Sequence, residues 1–372
     1  MTVSLDLAGN VRGYYAASDE KFPEAVPRLI IGSHLDSVPN GGRYDGVLGV
    51  MIGIALVEAL EGQRLRFGIE VVGFSDEEGV RYGLPFIGSR ALSGTLLAPH
   101  LARRDANGIA MFAALDTYAS IHPDVVTAKL HRATRGYIEF HIEQGPVLEH
   151  AGLGLGVVET IVGQSRARVS FRGRAGHAGT TPMFLRHDAL AAAAEWVVAI
   201  ESAAGSIPGM VATTGQISCE PGAANVIPGL VHCSLDVRHG LDEIRHSAVE
   251  DFLAMAHAIA ERRQIEVEHL IEYEQAAVQL DPALLALADR AVSDAGISPR
   301  HMTSGAGHDA MIIAPKVPAA MIFLRTPGGI SHHPDEAVLV EDVAAALRAG
   351  IRFLDLFQGY LGQLVESEPS LA

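Results

Sequence analysis

Two apolar runs, "RLIIGSHLD" from Arg28 and "FGIEVVGFSD" from Phe67, are joined by a Gly-rich loop and a helical run from Val47 to Leu60. Strand, loop, helix and strand in that order form the unit of a sheet covered by helices, so this stretch commits the chain to an α/β architecture. The second run ends in Asp76, Glu77 and Glu78, three consecutive acids that pile like charge where the chain should be packing. Something must compensate them.

A chain of 372 residues exceeds what one hydrophobic core usually serves, which predicts two domains. "GYIEFHIEQG" and "LGVVETIVG" read as further strands, and "AAMIFLR" is followed by a long helix from Val340 to about Leu361. These outer pieces read as one domain, a mixed sheet covered by helices. The middle has another rhythm. In "ARVSFRG", Ala167, Val169 and Phe171 alternate with Arg168, Ser170 and Arg172, the period of a strand with one wet face. A helix from about His187 to Ala203, the strand-like stretches "MVATTGQIS" and "LVHCSLDVR", a helix from about Asp242 to Arg263 and a strand "IEVEHLIEYEQ" complete the order βαββαβ. That order predicts a smaller ferredoxin-like α+β domain inserted into the larger one. The expected division is 1–163 and 276–372 for the catalytic domain and 164–275 for the insert.

The 28 basic and 44 acidic residues leave a formal charge of −16, which excludes a nucleic-acid backbone as partner and leaves small molecules or proteins. Cys219 and Cys233 are too few for a disulfide framework or a thiolate metal site. "MTVSLDLAGN" does not read as a signal peptide, and "LGVMIGIALVEAL" is too short to span a bilayer, so no membrane association and a cytoplasmic location are expected.

Candidate chemistry collects at the strand ends. His34 and Asp36 close the first apolar run at i and i+2, where a carboxylate can fix the tautomer of a metal-ligating imidazole, and Asp45 follows a loop of Pro39, Asn40, Gly41 and Gly42. Adjacent acids leaving a strand point in different directions, so one of the triple can ligate a metal while its neighbour faces a bound water. His141 in "EFHIEQG" and His332 in "GGISHHPDE" lie in similar surroundings. Singly, each has a plainer reading as a polar turn, a solvated acidic turn or a satisfied core histidine. As a set at the ends of sheet strands, where open α/β folds place their sites, they point to a divalent metal centre. Carboxylates and imidazoles without thiolate suit Zn²⁺, Mn²⁺ or Co²⁺. In the middle segment, His177, Asn225 and Arg238 could stabilise an oxyanion and bind a carboxylate, or could simply keep a wet face soluble.

Taken together, "GSHLDSVPNGGRYDG", "EVVGFSDEEG", "FHIEQGPVLE", "GRAGHAGTTPM", "GAANVIPG", "SGAGHDAM" and "GGISHHPDE" resemble the amidohydrolase family containing allantoate amidohydrolase and N-carbamoyl-L-amino-acid hydrolase, a branch of the dinuclear zinc exopeptidase superfamily. The resemblance runs from about Ala8 to near the C-terminus. It implies two divalent ions per subunit, with His34 and His141 on one, Glu78 and His332 on the other, and Asp45 bridging. Glu77 is then the general base on the water between them, and Asp36 orients His34. Gln144, His177, Asn225 and Arg238 match the family's substrate positions, with His177 polarising the scissile carbonyl. The inserted domain would act as lid and homodimer contact, and the partner subunit can supply His177 or its companions.

Two stretches depart from the family's pattern. Members usually carry a helical segment before the D-x-x-G-N stretch, whereas Met1 here sits just ahead of "LDLAGN". Allantoate-type members more often show a Cys and a His or Arg where this chain has Thr326 and Pro327. The expected activity is hydrolysis of a linear ureido or amide C–N bond in a small carboxylate-bearing substrate, allantoate first and an N-carbamoyl-L-amino acid second. An N-acyl amino acid or dipeptide is a third substrate class, and a non-catalytic binding protein keeping the fold is the alternative of another kind.

Overall fold

The computed structural model describes residues 1–19, 21, 22 and 24–367, with side chains up to 363, and divides into two compact units, Met1–Thr160 with Gln279–Ala372, and Ile161–Val278. The first unit opens with β1 (Thr2–Leu5), β2 (Val11–Tyr15), β3 (Arg28–His34), α1 (Val47–Glu58), β4 (Gly68–Phe74), α2 (Ile87–Ser93), α3 (Ala98–Leu101), α4 (Met111–Ile121), β5 (Thr134–Ile142), α5 (Val147–Ala151) and β6 (Leu155–Ile161). The second contains β7 (Gly163–Arg172), β8 (Gly176–His177), α6 (Ala189–Gly205), β9 (Val211–Thr213), β10 (Ile217–Glu220), β11 (Val226–Ile227), β12 (Leu230–His239), α7 (Asp242–Arg263) and β13 (Glu266–Gln275). The chain then returns through β14 (Val278–Gln279), α8 (Pro282–Asp294), β15 (His301–Ser304), α9 (Asp309–Ile313), β16 (Ala319–Leu324) and α10 (Val340–Ser367).

The described residues of the first unit build a nine-stranded mixed sheet in the order β1-β2-β4-β3-β5-β16-β6-β14, with β15 beside β6. Its centre, β4-β3-β5-β16, is parallel, and β2 and β6 join it antiparallel. Central parallel strands must be covered on both faces, which is why β3 and β4 are apolar almost throughout. Leu29, Ile31, Ile69, Val71, Ile138, Phe140 and Ile142 pack into one core with Leu56 of α1, Leu284 of α8 and Phe353 and Phe357 of α10. Tyr137, Glu139 and His141 alternate with the core residues of β5, and Glu139 accepts the Ala310 N–H of α9. Helices therefore cover both faces, and the polar side chains of β5 are sealed beneath α9.

The second unit is a five-stranded antiparallel sheet in the order β10-β12-β7-β13 with β9 also on β12. Ala167, Val169 and Phe171 pack with Val231, Leu235 and Val237 of β12, Trp196 of α6 and Phe252 of α7. The opposite face carries ion pairs such as Arg168–Glu272. Asp188 caps α6 by accepting from the Leu190 and Ala191 N–H groups. "MVATTGQIS" is two strands rather than one, because the Ser234 hydroxyl accepts the N–H groups of Gly215 and Gln216 and interrupts the ladder between β9 and β10. No helix among the described residues is long and apolar enough to cross a membrane.

Candidate metal centre

Three parallel strands deliver side chains from their carboxyl ends, the edge where α/β sheets place their chemistry. β3 ends on His34, β5 carries His141 one residue before its end, and β4 runs into the three acids. Asp45 lies just ahead of α1, beside Gly46, whose φ is +68° and whose missing Cβ leaves room for the His34 ring.

His34 Nδ1 donates to the Asp36 carbonyl at 3.0 Å, and His141 Nδ1 to the Ile142 carbonyl at 2.9 Å. A carbonyl only accepts, so in its neutral form each ring holds its proton on Nδ1 and leaves Nε2 as a bare lone pair. The two Nε2 atoms face each other at 3.3 Å and lie 3.6 and 3.2 Å from Asp45 Oδ1. His332 Nε2 lies 3.2 Å from Asp45 Oδ2 and 3.4 Å from Glu78 Oε1. Asp45 thus offers one oxygen to each of two groups, His34/Asp45/His141 and Asp45/Glu78/His332, in each of which the ligand atoms lie within 4.8 Å of one another. Asp45 Oδ1 and Glu78 Oε1 are buried with no hydrogen-bond donor. Converging lone pairs and orphaned carboxylate oxygens are costly unless a cation sits among them, so these residues fit two divalent ions.

Burial opposes ionisation of Asp45, but the imidazoles of His141, His332 and His34 around it hold its carboxyl far below the usual range. His34 is pushed well up: burial works against its charge, and Asp45, Glu77 and Asp309 overcome that. The neighbouring carboxylates of Asp45 and Glu78 raise His332 to about 10. A metal at this site competes with protons for the same donor atoms.

The acid-bearing turn is held at every step. Ser75 N–H donates to Asn10 Oδ1 at 3.0 Å, and Asp76 turns the chain with φ +49°. The Asp36 carboxylate then accepts the N–H groups of Glu77 at 2.9 Å and Glu78 at 3.1 Å. This differs from the expectation that the Asp36 carboxylate orients His34, since Oδ1 is 3.8 Å from Nδ1 and the residue's carbonyl makes that bond. Two backbone donors in line outbid one ring N–H for the same carboxylate. Glu77 is buried, and burial, then Asp309, Glu78 and Asp36, push its carboxyl well up against the pull of His34.

Gln144, expected at the substrate, donates its amide to Asp45 Oδ2 at 2.9 Å. In the second unit, His177 is exposed and its Nδ1 accepts the Gly179 and Thr180 N–H groups at 3.0 and 3.2 Å, which leaves the proton on Nε2. The β8–β11 ribbon pairs His177 with Val226, and Ala178 donates to the Asn225 carbonyl, so His177 and Asn225 are neighbours. Arg238 stands on β12 and holds Asp236 at 2.8 and 3.2 Å.

Sequence reasoning gave no role to the layer behind the imidazoles. Glu139 accepts from Ser33 Oγ at 3.1 Å and Tyr137 OH at 2.9 Å. His308 packs its ring edge-on to His141, with centroids 4.5 Å apart, and its Nε2 is 2.8 Å from Ser304 Oγ. Glu139, His141 and His308 form a third group of metal-ligand type. Asp309 is fully buried, and burial and Glu139 push its carboxyl well up. The alternation of Tyr137, Glu139 and His141 inside an apolar strand was the available signal.

The model of peptidase family M20/M25/M40 matches residues 30–356, and the chain belongs to that family. An N-carbamoyl-L-amino acid amidohydrolase of Geobacillus stearothermophilus is 40% identical over 91% of this chain and 83% of its own length. Allantoate deiminase 1 of Glycine max is 37% identical over 94% of this chain and 79% of its own. The crystal structure of a hydantoinase/carbamoylase family amidase from Burkholderia ambifaria superposes with a TM-score of 0.87 at 34% identity, over 96% of this chain and 86% of that one.

Proposed function

We propose that this chain is a metal-dependent amidohydrolase that cleaves a ureido C–N bond in a small carboxylate-bearing substrate, with allantoate as the first candidate. The observation that carries the reading is the sharing of Asp45 between two ligand groups, with bare Nε2 lone pairs on one side and Glu78 and His332 on the other. We assign His34 and His141 to one divalent ion, Glu78 and His332 to the second, and Asp45 to both; Zn²⁺, Mn²⁺ and Co²⁺ all suit this donor set. Such ions, when bound, polarise a carbonyl and make water acidic enough to attack near neutral pH.

Glu77 takes the proton of the attacking water and returns it to the leaving nitrogen. A buried carboxyl pushed well above its ordinary value is suited to that exchange. Asp36 keeps Glu77 and Glu78 pointing apart by binding both backbone N–H groups. His177, from either subunit of a homodimer formed through the ferredoxin-like insert, donates its Nε2–H to the developing oxyanion. Arg238 and Asn225 take the substrate carboxylate, for which Arg238 exchanges its bond to Asp236, and Gln144 is a further substrate-binding residue.

A second reading, hydrolysis of an N-carbamoyl-L-amino acid, is favoured by the 40% identical relative and by Thr326 and Pro327, where allantoate-type members more often differ. Product analysis separates the two. With Mn²⁺, Zn²⁺ or Co²⁺ restored, allantoate should release ammonia and carbon dioxide and leave ureidoglycine, whereas a carbamoyl amino acid leaves the free amino acid. No turnover of either by the metal-loaded protein would remove both substrates.

A further inference from the structure

We propose that Glu336 is a positioning residue that ties the loop bearing Asp45 to the loop bearing His332 and so holds the Asp45/Glu78/His332 half of the centre. The inference rests on reading those three as ligands. Glu336 is buried, at 5% exposure, and contacts none of the ligand side chains through its own carboxylate. Its Oε1 accepts two consecutive backbone N–H groups, from Tyr44 at 2.9 Å and Asp45 at 3.0 Å. Its Oε2 lies 3.2 Å from Ser331 Oγ, and that hydroxyl is also 3.3 Å from Asp45 Oδ2. Glu336 N–H in turn donates to the His333 carbonyl at 3.0 Å, closing the turn that follows His332.

Two features show that this contact is built in. Gly42 lies where any Cβ would collide with the Glu336 carboxylate, so the Asp45 loop is glycine at the point where it wraps the acid. His332 has φ +55°, a conformation that persists in a non-glycine residue only when its surroundings over-determine it, and the Ser331 and Glu336 contacts flank it. Removing the carboxylate would leave the N–H groups of Tyr44 and Asp45 without their acceptor and let both loops move apart. Glutamine can keep the clamp, because its carbonyl oxygen can receive both N–H groups while its amide faces the Ser331 hydroxyl. The role is therefore one of geometry rather than charge.

The test is calorimetric titration of Mn²⁺ into the metal-free full chain, with Co²⁺ absorption as a second readout, for wild type, Glu336→Ala, Glu336→Gln and Gly42→Ala. Wild type should bind two ions. Glu336→Ala and Gly42→Ala should weaken the ion held by Glu78 and His332 by about 10- to 100-fold, with a smaller loss for the ion on His34 and His141 that shares Asp45, and should change the corresponding component of the Co²⁺ spectrum. Glu336→Gln should stay close to wild type. Gly42→Ala displaces the carboxylate without deleting it, so it keeps the proposal testable where Glu336→Ala fails to fold. Unchanged affinity for both ions in Glu336→Ala and Gly42→Ala overturns the positioning role and leaves the metal reading intact. Equal loss in Glu336→Gln and Glu336→Ala also overturns it, because charge would then matter and not the clamp. A wild type that takes up no second ion overturns the metal reading, and this inference with it.

Discussion

The two units treat their polar side chains in opposite ways. In the first, His34, Asp45, Glu77, Glu139, His141, His308 and Asp309 are all buried, and carboxylates face imidazoles or one another. In the second, His177 and Asn225 are exposed, and the acids of the sheet pair with arginines, as Asp236 does with Arg166 and Arg238. A buried group with surplus carboxylate is a poor way to stabilise a fold and a good way to hold cations. Exposed donors pinned by local bonds cost the fold little and can exchange partners with a ligand. The contrast matches the proposed split between metal binding in the first unit and substrate recognition in the second.

The largest effect should come from the buried side. Glu77→Gln should retain metal and lose about 10²- to 10⁴-fold in kcat, measured by metal analysis and turnover on the same sample. An active Glu77→Gln enzyme would remove the assignment of the base. On the recognition side, Arg238→Lys should raise KM on the order of tenfold with metal content unchanged, since an ammonium cannot grip a carboxylate with two parallel bonds. A fall in bound metal in that variant would break the division of labour between the units.

The smallest effect is a pair of stability changes of opposite sign in metal-free protein. Burial and the charge of Asp36 push the Asp76 carboxyl up to about 6, with Arg81 pulling against them. A raised carboxyl contributes nothing adverse below its ordinary value, where folded and unfolded chains are both protonated, and destabilises as pH rises through about 6. Asp76→Asn should therefore stabilise the protein at pH 7 by about 1–2 kcal/mol, discounted for its partial exposure, and by nothing below about pH 4. Asp236 is the reverse case. Burial disfavours its charge, but Arg238 and Arg166 outweigh that and lower its carboxyl, so its contribution is present above the ordinary value and lost as pH falls through the lowered one. Asp236→Asn should cost roughly 1 kcal/mol or less at pH 7, read from denaturant unfolding. The same sign for both substitutions would erase the contrast.

Much of this was legible in local pattern. "RLIIGSHLD" and "FGIEVVGFSD" are the neighbouring parallel strands β3 and β4, and the alternation in "ARVSFRG" marks the buried and wet faces of β7. Those features depend on period and hydrophobicity alone, which are properties of the chain. Contacts between distant residues were not legible. Spacing pairs the Asp36 carboxylate with His34, two residues away, whereas it serves the backbone of Glu77 and Glu78. Glu336 lay unassigned in "HHPDE" because its partners, Tyr44 and Asp45, are almost three hundred positions away.

The sequence by itself determined which chemistry was possible: imidazoles and carboxylates at the ends of apolar strands, no thiolate beside them, and an acidic turn in need of cations. The folded structure decided which atoms meet, through local backbone bonds as well as strand pairing. Backbone carbonyls beside His34 and His141 fix the tautomer that bares each Nε2, and parallel pairing of β3 with β4 and β5 brings those lone pairs and the acid turn to one edge. The reason is that ligand geometry depends on the direction of a lone pair. That direction is set by a hydrogen bond on the far side of the ring, which residue type and spacing do not encode.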